Sequence, residues 1–190
     1  MKPAFTDPVL DAQAGFRALM EAMARPGCVQ QVISPPDLPE GLEPAAAAAI
    51  LTLADAETPL WTDAGEEARG WIAFHTGAPL VAEPASAMLL LNTGATMPEL
   101  ATLQAGEDET PQDGATLIRQ VAGLSEGSGW RLTGPGIAHE HRLCATGMPA
   151  DFPAQWRANA ARFPCGVDVV LCAGAALAAL PRSVALREGG

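Results

Sequence analysis

The sequence contains no tyrosine and a single lysine, Lys2. Scarcity of lysine excludes chemistries that run through a buried amine, including the Schiff base that holds pyridoxal phosphate. The other cationic side chains are arginines, whose planar fork suits fixed, bidentate contacts with carboxylate or phosphate. Cysteine is sparse and unpatterned: Cys28, Cys144, Cys165 and Cys172 form no CxxC pair. In a chain of this length that opens without an apolar leader, the pattern predicts reduced thiols rather than a disulfide framework. Long apolar runs are also missing. The most apolar stretches, around residues 45–53 and 167–180, are too short or too interrupted to cross a bilayer. A soluble, cytoplasmic protein with no membrane partner is expected.

Bases are few as well. Acids outnumber them 22 to 11, for a formal net charge of −11. Nucleic-acid affinity rests on Lys and Arg neutralising phosphates, and no basic tract offsets the acidic balance, so nucleic acid is excluded as a partner. A small anion is still accessible to a few arginines that focus a local positive field. The 190 residues suit one domain spanning the chain, of a size that buries roughly 70% of its unfolded surface without staples. Its large anchors are Trp61, Trp71, Trp130 and Trp156 with five phenylalanines.

Asp7-Pro8 reads as an N-cap followed by proline at the first helical position. Phe16, Leu19, Met20 and Met23 follow at helical spacing, and Pro26-Gly27 ends the helix. Residues 28–33 read as a strand, 44–53 as an alanine-rich helix opened by Pro44, 58–62 as an extended segment, and 66–74 as a helix stopped by Gly77. A strand at 87–91, a short helix at 98–103 and an acidic loop at 106–114 come next. Residues 115–121 and 129–132 read as neighbouring strands, and 139–143 as another. A helix at 154–161 precedes a buried strand at 167–172, with 176–180 as its partner. The alternation predicts a mixed sheet with helices on its faces.

Few motifs carry chemistry. Thr133-Gly134-Pro135-Gly136 begins like a phosphate loop, but His139 replaces the third glycine and a strand follows, so a turn between strands is expected. His139, Glu140, His141 and Cys144 are metal-ligand types, yet Cys144 has the wrong strand parity and no distant fourth ligand is evident; no metal is expected. His75 ends a helix, where it either satisfies the last carbonyls or titrates at the mouth of a cleft. Asp55 fits a turn acceptor. Asp168, inside an apolar strand, needs a partner such as an arginine.

Seven segments form an ordered set: FTDPVLDAQAGFRALMEAMARPG (5–27), LTLADAETPLW (51–61), FHTGAPL (74–80), GATLIRQV (114–121), LTGPGIA (132–138), FPCGVDVVL (163–171) and LAALPR (177–182). In this order and spacing the sequence resembles the PhnH family, subunits of the bacterial carbon–phosphorus lyase system of phosphonate degradation. The resemblance implies a three-layer α/β fold, a mixed sheet with helices on both faces, similar to pyridoxal-phosphate-dependent transferases but lacking that cofactor. It implies a homodimer that joins PhnG, PhnI and PhnJ, in a system that makes ribose 1-methylphosphonate 5-triphosphate from ATP and methylphosphonate. It assigns no reaction to this subunit itself. The leading expectation is therefore an assembly subunit with no cofactor of its own. A second is a contribution to an ATP or phosphonate site, with Arg25 and Arg182 as anion contacts and His75 as the catalytic proton carrier. A third is a free-standing enzyme that binds an anionic small molecule through arginines.

Overall fold

The computed structural model describes residues 4–189; Lys2 lies outside them. Helix α1 runs Pro8–Ala24, and its N-cap works as expected: Asp7 Oδ1 accepts from the amides of Val9 and Leu10, both at 3.1 Å. Helix α2 (Pro44–Leu53) buries all of Ala45–Ile50, since it lies between the sheet and its helical neighbours. Helix α3 (Glu66–Thr76) ends at Gly77, whose φ of 70° is the left-handed conformation that releases the chain from a helix. Helix α4 is Phe152–Ala160. The expected helix at 98–103 is a single 3-10 turn, Leu100–Thr102.

The strands are β1 (Gln30–Gln31), β2 (Leu60–Thr62), β3 (Leu89–Asn92), β4 (Thr116–Gln120), β5 (Gly123–Thr133), β6 (His141–Thr146), β7 (Asp168–Ala173), β8 (Ala176–Leu180) and β9 (Ala185–Arg187). Six form a mixed sheet in the order β1-β8-β7-β4-β3-β2. β2, β3, β4 and β7 are parallel, and β8 folds back on β7 as the expected hairpin. β6, β5 and β9 make a second, antiparallel sheet.

Two expectations are corrected here. β4 and β5 are not partners, because β4 sits between β3 and β7 while β5 starts the second sheet. The stretch expected to link them, residues 123–129, is itself most of β5, which bulges between Glu126 and Trp130 to stay paired with β6. The strand expected at 28–33 shrinks to two residues, and only Gln30 and Gln31 pair with β8.

The main sheet divides two cores by side-chain alternation. Leu89 and Leu91 of β3 point to one face with Leu19, Ile50, Trp71 and Ile72 from α1, α2 and α3. Leu90 points to the other face, with Phe152 and Trp156 of α4 and Leu132 and Leu143 of the second sheet. The opposite face is thus covered by one helix and a small sheet together. Trp156 is fully buried there, and its indole donates to the Val184 carbonyl at 2.9 Å. No described helix is long and apolar enough to cross a membrane.

Candidate functional site

Arg182 follows β8 and is committed to the fold. Its guanidinium grips the Asp168 carboxylate through Nε (3.1 and 3.2 Å) and Nη2 (2.6 Å), and Nη1 donates to the Pro111 carbonyl at 2.7 Å. The Asp168 carboxylate also accepts from the Arg182 backbone amide at 2.7 Å. This is the arginine partner that a carboxylate within an apolar strand requires. Both side chains are largely buried, at 12% and 16% exposure.

Arg25 caps the C-terminus of α1 and pairs with Glu21 at 2.9 Å, with its side chain 68% exposed. His75 lies near the end of α3 against the rings of Trp71 (4.7 Å between centroids) and Phe74 (5.0 Å). Its Nε2 is buried without a hydrogen-bond partner, so it does not satisfy the last helical carbonyls; the Thr76 hydroxyl does, donating to Ile72 at 2.8 Å. Burial holds the His75 imidazole below its ordinary pKa. None of the described cavities is lined by two of Arg25, His75 and Arg182. Asp55 is the expected turn acceptor, taking the Glu57 amide at 2.9 Å and the Thr58 hydroxyl at 2.7 Å.

The C-terminal edge of the parallel strands holds a polar network that sequence reading missed. This edge is where open α/β sheets bind ligands. Arg119 of β4 is 2% exposed. It donates to Asn92 Oδ1 and to the carbonyls of Gly94 (2.9 Å) and Gly147 (3.2 Å). Asp63 accepts from the Asn92 side chain (2.6 Å) and from the amides of Thr93 and Gly94 (2.7 and 2.9 Å). Burial pulls the Arg119 guanidinium below its usual pKa. The terminal guanidinium nitrogens are spent on the Asn92 side chain and on loop carbonyls, while the buried Nε of Arg119 has no hydrogen-bond partner among the described residues. Arg119 lies inside GATLIRQV, where an arginine in an apolar strand was the available signal.

Another cluster joins residues distant in sequence. Cys28 Sγ, a Glu126 carboxylate oxygen and an imidazole nitrogen of His141 lie within 4.8 Å of one another. The ligand types that neighbour one another in sequence are split: Glu140 instead accepts from Arg131 Nε at 2.7 Å and Arg142 Nε at 3.2 Å. These arginines hold the Glu140 carboxyl below the usual range. Burial, then the Glu126 charge, pushes the Cys28 thiol up. The four cysteines are free.

An open groove of about 810 Å³ runs along α1, lined by Val9, Gln13, Phe16, Arg17 and Met20 with Leu51 of α2. Here the helical spacing misled in one respect. Leu19 is buried, but Phe16 and Met20 are 49% and 55% exposed, and Val9 and Leu10 more so.

Taken together, the chain is a mixed-sheet α/β protein whose expected charged residues stay apart and whose first helix presents an uncovered apolar face. The family described as "Bacterial phosphonate metabolism protein (PhnH)" matches residues 3–187. The "Alpha-D-ribose 1-methylphosphonate 5-triphosphate synthase subunit PhnH" of Rhizobium meliloti (strain 1021) is 38% identical over 191 residues, covering 97% of this chain and 94% of that protein. The "Putative C-P lyase subunit protein HtxG" of Stutzerimonas stutzeri is 33% identical over 185 residues, covering 94% and 87%. The chain belongs to the PhnH family.

Proposed function

We propose that this chain is an assembly subunit of a carbon–phosphorus lyase system in the cytoplasm. It serves the synthesis of ribose 1-methylphosphonate 5-triphosphate from ATP and methylphosphonate without supplying the reacting groups. Two relatives are named as subunits of such systems. In this reading the chain is a homodimer that joins PhnG, PhnI and PhnJ, and its sheet is of the transferase type without pyridoxal phosphate.

The carrying observation is the α1 face. Val9, Phe16 and Met20 stay exposed around the groove while Leu19 and Ala22, on the same helix, are buried. Contiguous apolar surface of this kind marks an interaction site, and the occupant proposed is another subunit of the same system. Arg182 argues the same way, since its guanidinium is consumed by Asp168 and the Pro111 carbonyl.

Co-expression with PhnG, PhnI and PhnJ tests this. Phe16→Glu with Met20→Glu should leave the chain folded by circular dichroism and abolish its co-purification with the others. If the doubly substituted chain still joins the assembly stoichiometrically, α1 is not the contact. If it joins but loses self-association, the face belongs to a second copy instead. Tight ATP binding by the isolated chain, lost in Arg25→Ala, would replace the assembly reading with a substrate-site one.

A further inference from the structure

We propose that Cys28, Glu126 and His141 form a binding site for one divalent transition-metal ion of zinc type, with a fourth coordination position open. The three residues come from separate places: the turn after α1, β5 and the start of β6. Their donor atoms nevertheless converge within 4.8 Å.

The alternative is an ordinary Glu–His ion pair beside a thiol. The two groups are close enough for one, but they are not hydrogen-bonded to each other. His141 Nε2 lies 3.2 Å from Glu126 Oε2, yet this buried nitrogen makes no hydrogen bond, because the two groups are not aligned for one. The thiol, carboxylate and imidazole nitrogen converge on a common space. A relay triad would instead place the carboxylate on the far ring nitrogen. Metal–ligand distances of roughly 2.0–2.3 Å put tetrahedral ligands roughly 3.3–3.7 Å apart. The 3.2 Å nitrogen–oxygen distance is close to such an edge. The whole set needs to contract by about 1 Å to close on an ion.

The surroundings hold the ligands in place. The Val29 amide donates to Glu126 Oε1 at 2.8 Å and leaves Oε2 facing His141. Cys28 is fixed in a turn by its amide, which donates to the Arg25 carbonyl at 3.1 Å, and the Gly27 amide donates to Ala179 at 3.2 Å. Gly27 has φ of 85°, and a Cβ there would come within 2.8 Å of the His141 ring and 2.6 Å of Leu132. Glycine therefore lets the imidazole reach the thiol. Arg25, the nearby cation, is paired with Glu21. A thiolate and a carboxylate balance the two charges of the ion. A thiolate, an imidazole and a single carboxylate suit zinc better than the hard cations magnesium and calcium. Binding would release the thiol proton to solvent.

The test uses the tag-free full-length chain stripped with chelator, then titrated with zinc(II) by calorimetry and with cobalt(II) by absorption. One equivalent should bind, with a thiolate-to-cobalt charge-transfer band. The band should vanish in Cys28→Ser. Glu126→Gln and His141→Gln should weaken zinc binding by more than the roughly tenfold that loss of a supporting group brings. Cys144→Ser and His139→Gln should bind as the parent does. Failure of the parent chain to bind stoichiometrically, or a band that persists in Cys28→Ser, overturns the site. Should Cys28→Ser not fold, peptide mapping after alkylation decides on the parent chain. Protection of Cys28 by cobalt supports the site, and unchanged alkylation of Cys28 overturns it.

Discussion

At the scale of single residues, one of the two arginines that sequence reading offered to an anion, Arg182, is an internal strut. Arg182 closes on Asp168 and on the segment before β4 through several bonds at once. Removing one partner of a buried ion pair leaves the other uncompensated and costs about 3 kcal/mol. Arg182→Ala should lose about that much in urea unfolding, and Arg182→Lys should recover only part of it, because an ammonium cannot reproduce the fork. Asp168→Asn should be similarly costly; if both variants unfold like the parent, the strut assignment fails. His75 has a pH signature. Its pKa is lowered in the fold by burial, from an ordinary value of 6.5. Above that value the imidazole is neutral in both states and contributes no difference. Below it the unfolded chain takes up the proton first, so stability falls as pH drops from 6.5 through the lower folded value. The melting-temperature gap between the parent and His75→Gln should therefore shift against the parent between pH 7 and pH 5. NMR titration of the His75 ring should give a midpoint below 6.5.

At the scale of elements, legibility followed how local the cause was. The Asp7 cap, the alanine-rich α2, the stop at Gly77 and the β7–β8 hairpin are set by neighbours in sequence, and they stand where expected. Asp7→Ala should cost about 1 kcal/mol, as loss of an N-cap acceptor does. Chemical denaturation checks this, and Asp7→Asn, which keeps an acceptor oxygen for the Val9 and Leu10 amides, should retain most of the stability. Elements fixed by distant partners were not legible. β5 runs eleven residues through Ser125-Glu126-Gly127-Ser128-Gly129, a stretch that reads as a loop. It is a strand because β6 pairs with it on either side of a bulge. β9 is three residues long and exists through its pairing with β5. The Cys28–Glu126–His141 cluster was hidden for the same reason, since two of its members are 98 residues apart. Helical spacing likewise reported that α1 is amphipathic but could not say that Phe16 and Met20 lie beyond the edge of the core.

For the molecule as a whole, the main sheet is the wall that two cores share. Adjacent residues of β3 face opposite sides: Leu91 packs with α2 and α3, and Leu90 with the side that α4 and the second sheet cover. A layered arrangement could in principle melt one layer at a time. Here the dividing wall is a set of strands whose every second side chain belongs to the other core, so losing either layer strips one face of the sheet. This predicts a single cooperative transition. Both Leu90 and Leu91 are 0% exposed, and truncating a buried leucine to alanine costs about 2–5 kcal/mol. Leu90→Ala and Leu91→Ala should each shift the whole denaturation curve by an amount in that range. Far-ultraviolet circular dichroism should report the same midpoint as tryptophan fluorescence, which samples Trp71 in one core and Trp156 in the other. Separate midpoints for the two probes in Leu90→Ala alone would mean that the α4 side unfolds by itself. That side would then be the part free to rearrange when the chain meets its partners, while α1 and the helical face hold their shape.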